Sequence, residues 1–273
     1  MAPIRKDEAV ASQYATGTVR ERIERALHEA GKAIDGIATS DLAPIEHFHT
    51  LGQRATEALA ELAAITADDR VLDAGGGIGG TARFLADRIG CRVTSIDITP
   101  EYCDVARWLN AAVGLDDLID VDEADALDLP FADASFDVVV SQHIQMNISD
   151  KASLYRETRR VLARGGRLAL WDITAGPNQP LRFPVPWADR AEPSHLVTPE
   201  EFGALLTDAG FDVVAWNDLT KPSAQTRHAL LNAPPQPLGL HVFVPDFRTK
   251  ATNLVDNLAH DRIQLIQAVL RAI

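Results

Sequence analysis

Residues 70–80, "RVLDAGGGIGG", place the tightest constraint on the fold. A short apolar run of strand length enters a glycine-rich turn, and "TARFLADRIG" then continues at helical spacing. A strand turning through glycine straight into a helix opens a βα unit, whose turn can bring backbone N–H groups against a ligand. The spacing leaves two ligand types open. Gly75, Gly77 and Gly80 satisfy the G-x-G-x-x-G of a dinucleotide site, and Gly75, Gly77 and Gly79 satisfy the looser G-x-G-x-G of an S-adenosylmethionine (SAM) site.

The same alternation continues down the chain. "CRVTSID" reads as a second strand, and "TPEYCDVARWLNAAVG" as a helix with Thr99 as N-cap, Pro100 at its first position and Gly114 past its end. "LIDVDEAD" and "SFDVVVSQ" read as strands, "SDKASLYRETRRVLARGG" as a helix stopped by glycine, and "RLALWDI" as a fifth strand. "TPEEFGALLTDAG" opens with Thr198 and Glu201 at capping-box spacing, and "FDVVAWNDL" is a sixth strand. The closing "RIQLIQAVLRAI" reads as a last strand, with a helix as the rival. Short connections between alternating strands and helices imply a Rossmann-like, doubly wound α/β fold, its mostly parallel sheet covered on both faces.

The expected organisation is one domain over 1–273. Residues 1–65 form a helical N-terminal cover, with "TVRERIERALHEAG" as one helix, "DLAPIEHFHTLGQ" as a break and "RATEALAELAAI" as a second helix. Residues 66–220 form the core, interrupted at 174–197 by a proline-rich lid; a second insertion spans 221–260, with a helix near "FRTKATNLVDNLAHD", and the last strand spans 261–273.

A net charge of −13 disfavours nucleic acid and anionic membrane surfaces as partners. Cys91 and Cys103 offer neither a disulfide framework nor metal-ligand spacing. "MAPIRKDEAVAS" lacks the apolar run of a signal peptide, and no segment approaches the roughly 18 apolar residues of a membrane span, so a cytoplasmic location is expected.

Asp73 separates the two ligand types. It lies two residues before Gly75, where a dinucleotide would put its pyrophosphate. A carboxylate there repels phosphate but favours the ammonium and sulfonium of SAM, by roughly 1 kcal/mol or more for a partly shielded pair. Asp97, 22 residues past Gly75, can accept from ribose hydroxyls in either ligand. Asp125, in "EADALDLPF", can accept from the adenine amine while the Ala126 N–H donates to the ring.

Taken together, "VLDAGGGIGG", "SIDIT", "EADALDLPFADASFDVVVSQHI" and "RVLARGGRLALWDI" resemble class I SAM-dependent methyltransferases. The resemblance is closest to the small-molecule branch that includes ubiquinone/menaquinone-pathway and sarcosine/dimethylglycine methyltransferases. It covers roughly residues 50–220 and implies a seven-stranded sheet with an antiparallel last strand. It implies methyl transfer from SAM to an O, N or C atom of a small-molecule acceptor, and it adds Ile98 and Gln142 to the cofactor-binding set of Asp73, Gly75, Gly77, Asp97, Asp125 and Ala126. Gly76 stands where the family often has cysteine, and "ARGG" replaces "PGG"; neither is expected to touch a ligand-facing acid. The alternatives are a SAM-binding sensor or partner subunit without turnover, and an NAD-type oxidoreductase.

His143, in the loop after the fourth strand, is the first candidate general base, because a neutral imidazole accepts a proton near neutral pH. His49 lies in the segment that covers the cofactor in relatives, and Tyr14 resembles a tyrosine that closes over their active site. Asp172, at the expected end of the fifth strand, is a further candidate, with capping of the next loop as its other role. Asn147 and Gln145 are expected to cap the following helix. Glu46, His47 and His49 lack the spacing of a metal site, so none is expected. Phe183, Trp187 and nearby prolines are expected to form an apolar lid over the acceptor.

Overall fold

The computed structural model describes residues 14–231 and 236–273. The first part of the N-terminal cover, residues 1–13, and residues 232–235 of the second insertion lie outside the described residues. The strands are β1 (Arg70–Ala74), β2 (Arg92–Asp97), β3 (Ile119–Glu123), β4 (Phe136–Gln142), β5 (Leu162–Ala175), β6 (Phe211–Asp218) and β7 (Ile263–Ala272). They form one sheet in the order β3-β2-β1-β4-β5-β7-β6. β1 to β5 run parallel, and β7 lies antiparallel between β5 and β6. The fold class and the antiparallel last strand are therefore as expected, and "IQLIQAVLRA" is a strand. Its near-continuous apolar run reflects a position inside the sheet, buried on both faces.

Alternation along the strands divides the core between the two faces of the sheet. Val71, Val93, Val138, Val140 and Trp171 pack on one face against α3 (Gln53–Leu62), α4 (Gly80–Arg88) and α9 (Phe247–Ala259). Leu72, Ile96, Val139 and Leu170 pack on the other against α6 (Lys151–Val161) and α7 (Pro199–Asp208). A third cluster joins α1 (Val19–Glu29) and α2 (Thr39–Glu46) to α5 (Pro100–Ala112) and to Leu238, Phe243 and Val244 of the second insertion.

Several local readings are corrected. The break expected at "DLAPIEHFHTLGQ" contains α2, with Pro44 inside it. Burial of Leu42 and Ile45 at 0% exposure outweighs the one helical bond that Pro44 cannot donate. "KPSAQTRHALL" falls in a helix, α8 (Thr220–Leu231), because Pro222 occupies its first turn, where a missing N–H is tolerated. The α6 helix ends at Val161, and Gly165 and Gly166 lie within β5 rather than at a helix stop. Thr198 and Glu201 do form a capping box on α7.

Two polar contacts fasten the N-terminal cover to the core. The Glu101 carboxylate accepts from the backbone N–H groups of Thr16, Gly17 and Val19, each at 2.8 Å, so it neutralises the start of α1. Arg83 of α4 is fully buried; its Nε donates to Glu46 Oε2 at 2.9 Å, its Nη1 to Asn110 Oδ1 at 2.8 Å and its Nη2 to the Ile78 carbonyl at 2.6 Å. Burial pushes the Glu46 carboxyl up and the adjacent guanidinium opposes that shift. Arg83→Ala leaves Glu46 buried without its cation, and is expected to cost about 3–5 kcal/mol, read as a lowered denaturation midpoint at neutral pH.

Candidate active site

The chain leaves β1 for β2 on one side of the sheet and returns as β4 on the other, so the carboxyl ends of β1 and β4 border a topological switch point. A cavity of about 710 Å³ opens there. That size suits a small-molecule cleft, for which about 300–1,000 Å³ is usual.

The glycine turn forms one wall. Gly75 and Gly76 N–H both donate to the Ile96 carbonyl at 2.9 Å, and Gly77 N–H donates to Asp97 Oδ2 at 2.9 Å, which stitches the turn to the end of β2. Gly75 has φ +75°, and a Cβ on it would come within 2.1 Å of Ile144. Gly76 departs from expectation. A Cβ there would lie 2.0 Å from Ser95 Oγ and 2.7 Å from Asp73 Oδ2, so the residue does abut a cavity-lining acid, and only glycine leaves Asp73 and Ser95 where they are.

Asp73, Gly75, Gly77, Asp97, Ile98, Asp125, Ala126 and Gln142 all line this one cavity. Asp73 is 2% exposed; burial lifts its carboxyl to about 7, only partly offset by the Ser95 hydroxyl. Asp97 also accepts from Thr99 N–H at 2.9 Å, yet burial still raises it. Asp125 lies two residues past β3 rather than at its end, and its Oδ1 accepts from Leu127 N–H at 2.9 Å. The Gln142 Oε1 accepts from the hydroxyls of Thr56 at 3.2 Å and Thr81 at 2.9 Å, which fixes the amide beneath the turn.

His143, His49 and Tyr14 line the cavity as well. The Tyr14 hydroxyl donates to Asn147 Oδ1 at 3.2 Å, and its ring meets Phe48 edge-on at 6.2 Å between centroids. Burial pushes the Tyr14 phenol well above its ordinary range. Asn147 thus receives Tyr14, while Asp150 caps α6 through Ser153 N–H at 3.0 Å. Gln145 is buried and donates to the Ile173 carbonyl at 2.6 Å.

Asp172 does not reach the cavity. It sits inside β5, opposite Ile266 of β7, at 0% exposure. Its carboxylate accepts from the N–H groups of Ile144 at 3.3 Å and Gln145 at 3.2 Å, so it shapes the loop that carries His143. Burial lifts its carboxyl to about 7. His47 is also enclosed, held near 2 by burial with His49 and Arg83 adding to the shift. Among the described residues no group of His, Cys, Asp or Glu is arranged to hold a metal.

A second cavity of about 30 Å³ adjoins the first. Its own walls are apolar: Met146, Pro186, Trp187, Leu240, Phe247 and Leu254. Tyr14, Phe48, His49 and His143 belong to both cavities and form the partition. The proline-rich segment is pinned to the loop after β4, since His195 N–H donates to the Met146 carbonyl at 2.8 Å and Lys151 Nζ donates to the carbonyls of Ile148 and His195. Glu101 was not legible from the sequence as the residue that fastens the Tyr14 segment, because no motif marks a side chain that acts through backbone N–H groups distant in sequence.

Residues 72–170 match a family described as a methyltransferase domain. The methyltransferase GfsG of Streptomyces halstedii is 32% identical over 196 residues, covering 71% of this chain and 70% of that protein. The chain belongs to the SAM-dependent methyltransferases. A sarcosine/dimethylglycine N-methyltransferase of Halorhodospira halochloris is 34% identical over 153 residues, 56% of this chain, and the chain spans only 55% of that relative's length. The fold also matches geranyl diphosphate C-methyltransferase from Streptomyces coelicolor A3(2), with TM-score 0.73 at 16% identity and full coverage of both chains. SAM is the family's cofactor, and the residues present fit it. The cavity sets buried carboxylates beside an open glycine turn, and this donor and acceptor set suits a cationic nucleoside without phosphate.

Since a bound cation favours the charged form of Asp73, SAM binding is expected to release a proton below about pH 7. Affinity should therefore rise as pH climbs towards 7 and level off above it, and Asp73→Asn should flatten the profile. Calorimetry in buffers of different ionisation enthalpy measures both.

Proposed function

We propose that the chain transfers the SAM methyl group to an O, N or C atom of a small-molecule acceptor whose body carries apolar surface. The observation that carries this reading is the lining of the main cavity: the acid-lined glycine end and the apolar side chains of Phe48, Ile144, Ile148 and Phe243 share one space of about 710 Å³, with His49 and His143 among its walls. An acceptor placed with its nucleophile at the histidines would lay its hydrocarbon along these side chains within the same space, since the annex of about 30 Å³ admits no more than a water-sized group. Relatives named for ajmaline and 27-O-demethylrifamycin SV as acceptors support such substrates.

SAM supplies a methyl group already activated on a sulfonium. The chain's own task is then alignment, exclusion of water and removal of a proton where the nucleophile carries one. In this reading Asp73 and the glycine turn hold the amino-acid portion, Asp97 the ribose, and Asp125 with Ala126 the adenine, with Ile98 and Gln142 closing around them. Tyr14, tied to Asn147, shuts the cavity from the N-terminal side. The 174–197 segment, held on the loop after β4, acts as the lid over the acceptor. The free thiols of Cys91 and Cys103 suit a reducing, cytoplasmic setting.

Calorimetry should show binding of SAM and of its demethylated product, S-adenosylhomocysteine, and none of NAD; binding of NAD alone would overturn the reading. A panel of amine, hydroxyl and carbon acceptors graded in apolar size should then show turnover that improves with apolar surface. Glu101→Ala frees the segment that carries Tyr14, and is expected to speed release of S-adenosylhomocysteine about tenfold, the equivalent of one charge-assisted hydrogen bond, in stopped-flow measurements.

A further inference from the structure

Two residues, Thr50 and Trp171, hold the His143 ring and backbone. Trp171, in β5, is 1% exposed, and its indole N–H donates to Thr50 Oγ1 at 2.8 Å. An indole nitrogen can only donate, so the Thr50 hydroxyl is an acceptor towards Trp171 and keeps its own hydrogen for another partner. That partner is close: Thr50 Oγ1 lies 3.1 Å from His143 Nε2. The backbone N–H of Thr50 points at the same nitrogen from 3.5 Å. A proton on Nε2 would set a ring N–H against a backbone N–H, two donors facing each other. A lone pair on Nε2 lets the hydroxyl and the N–H of Thr50 both donate to it.

Trp171 also holds the other end of the same residue. Its carbonyl accepts from His143 N–H at 2.9 Å. His143 has φ +59°, a left-handed conformation that costs a β-carbon residue of order 1 kcal/mol or more and persists only where its surroundings over-determine it. Backbone and ring are thus both fixed by one tryptophan, directly in one case and through Thr50 in the other.

We propose that Thr50 is a positioning residue that holds neutral His143 in the Nδ1–H form, with the Nε2 lone pair committed to Thr50, so that His143 is not the general base. This rests on the reading above that His143 borders the acceptor. A nucleophile that carries a proton loses it to another group or to solvent.

The test is two-bond ¹H–¹⁵N correlation NMR on the full chain labelled with ¹⁵N-histidine, recorded at alkaline pH, where an ordinary imidazole is neutral. The His143 ring is identified by the signals lost in His143→Gln. The expected spectrum shows a protonated Nδ1 and an unprotonated Nε2. An Nε2–H ring, or equal population of both forms, overturns the proposal. Thr50→Val keeps the shape but removes the hydroxyl and should move the ring towards Nε2–H, while Thr50→Ser should keep the wild-type pattern; an unchanged ring in Thr50→Val overturns the role of Thr50. Should Thr50→Val fail to fold, the wild-type spectrum decides alone. Titration with S-adenosylhomocysteine separates the two readings: lack of binding would overturn methyl transfer while the ring assignment stands.

Discussion

The buried pair between Arg83 and Glu46 is the contact on which the site's construction turns. Glu46 ends α2, and the three residues after it include His49. Anchoring Glu46 to α4 therefore delivers Phe48, His49 and Thr50 to the open end of the sheet. The guanidinium is enclosed, and its partners are a carboxylate, an amide and a carbonyl. A buried charge with each guanidinium nitrogen engaged tolerates little displacement, so the pair sets register as much as it stabilises. The Gly80 position shows how close the approach is: a Cβ there would meet the Glu46 carbonyl at 2.5 Å.

The cavity that results concentrates acid where the protein has little water. Asp73 and Asp97 are both raised by burial, and each shift is opposed by hydrogen bonds rather than by an adjacent lysine. Arg83 stands near but is committed to Glu46. These hydrogen bonds only partly offset the cost of burying the acids, which leaves a site that favours positive charge.

The elements with strong periodicity were readable from the residues: β1, β2, β4 and β5 as apolar runs, α5 from Thr99 and Pro100, α7 from its capping box. The cavity-lining acids were readable because strand ends are where an α/β sheet presents side chains. The misses have physical causes. Pro44 and Pro222 look like breakers, but one is outweighed by core burial and the other sits in a first turn. Asp172 looked terminal because β5 runs three residues beyond it to Ala175, paired with β7, a partner distant in sequence. Gly76 looked neutral because its crowding comes from Ser95 on the neighbouring strand. Thr50 and Trp171 are 121 residues apart, and only folding shows that they share a hydrogen bond.

The antiparallel β7 has a bearing on assembly. It fills the gap between β5 and β6, pairing with both along most of its length. Until it is in place, β5 has a bare margin beside its most apolar stretch, and β6 has no neighbour at all. The parallel half, β3 to β5, can zip up from segments that follow one another closely, whereas the other half waits for a late-arriving wedge. A chain that lacks β7 therefore leaves the β5 edge unpaired, the kind of margin that invites wrong pairing.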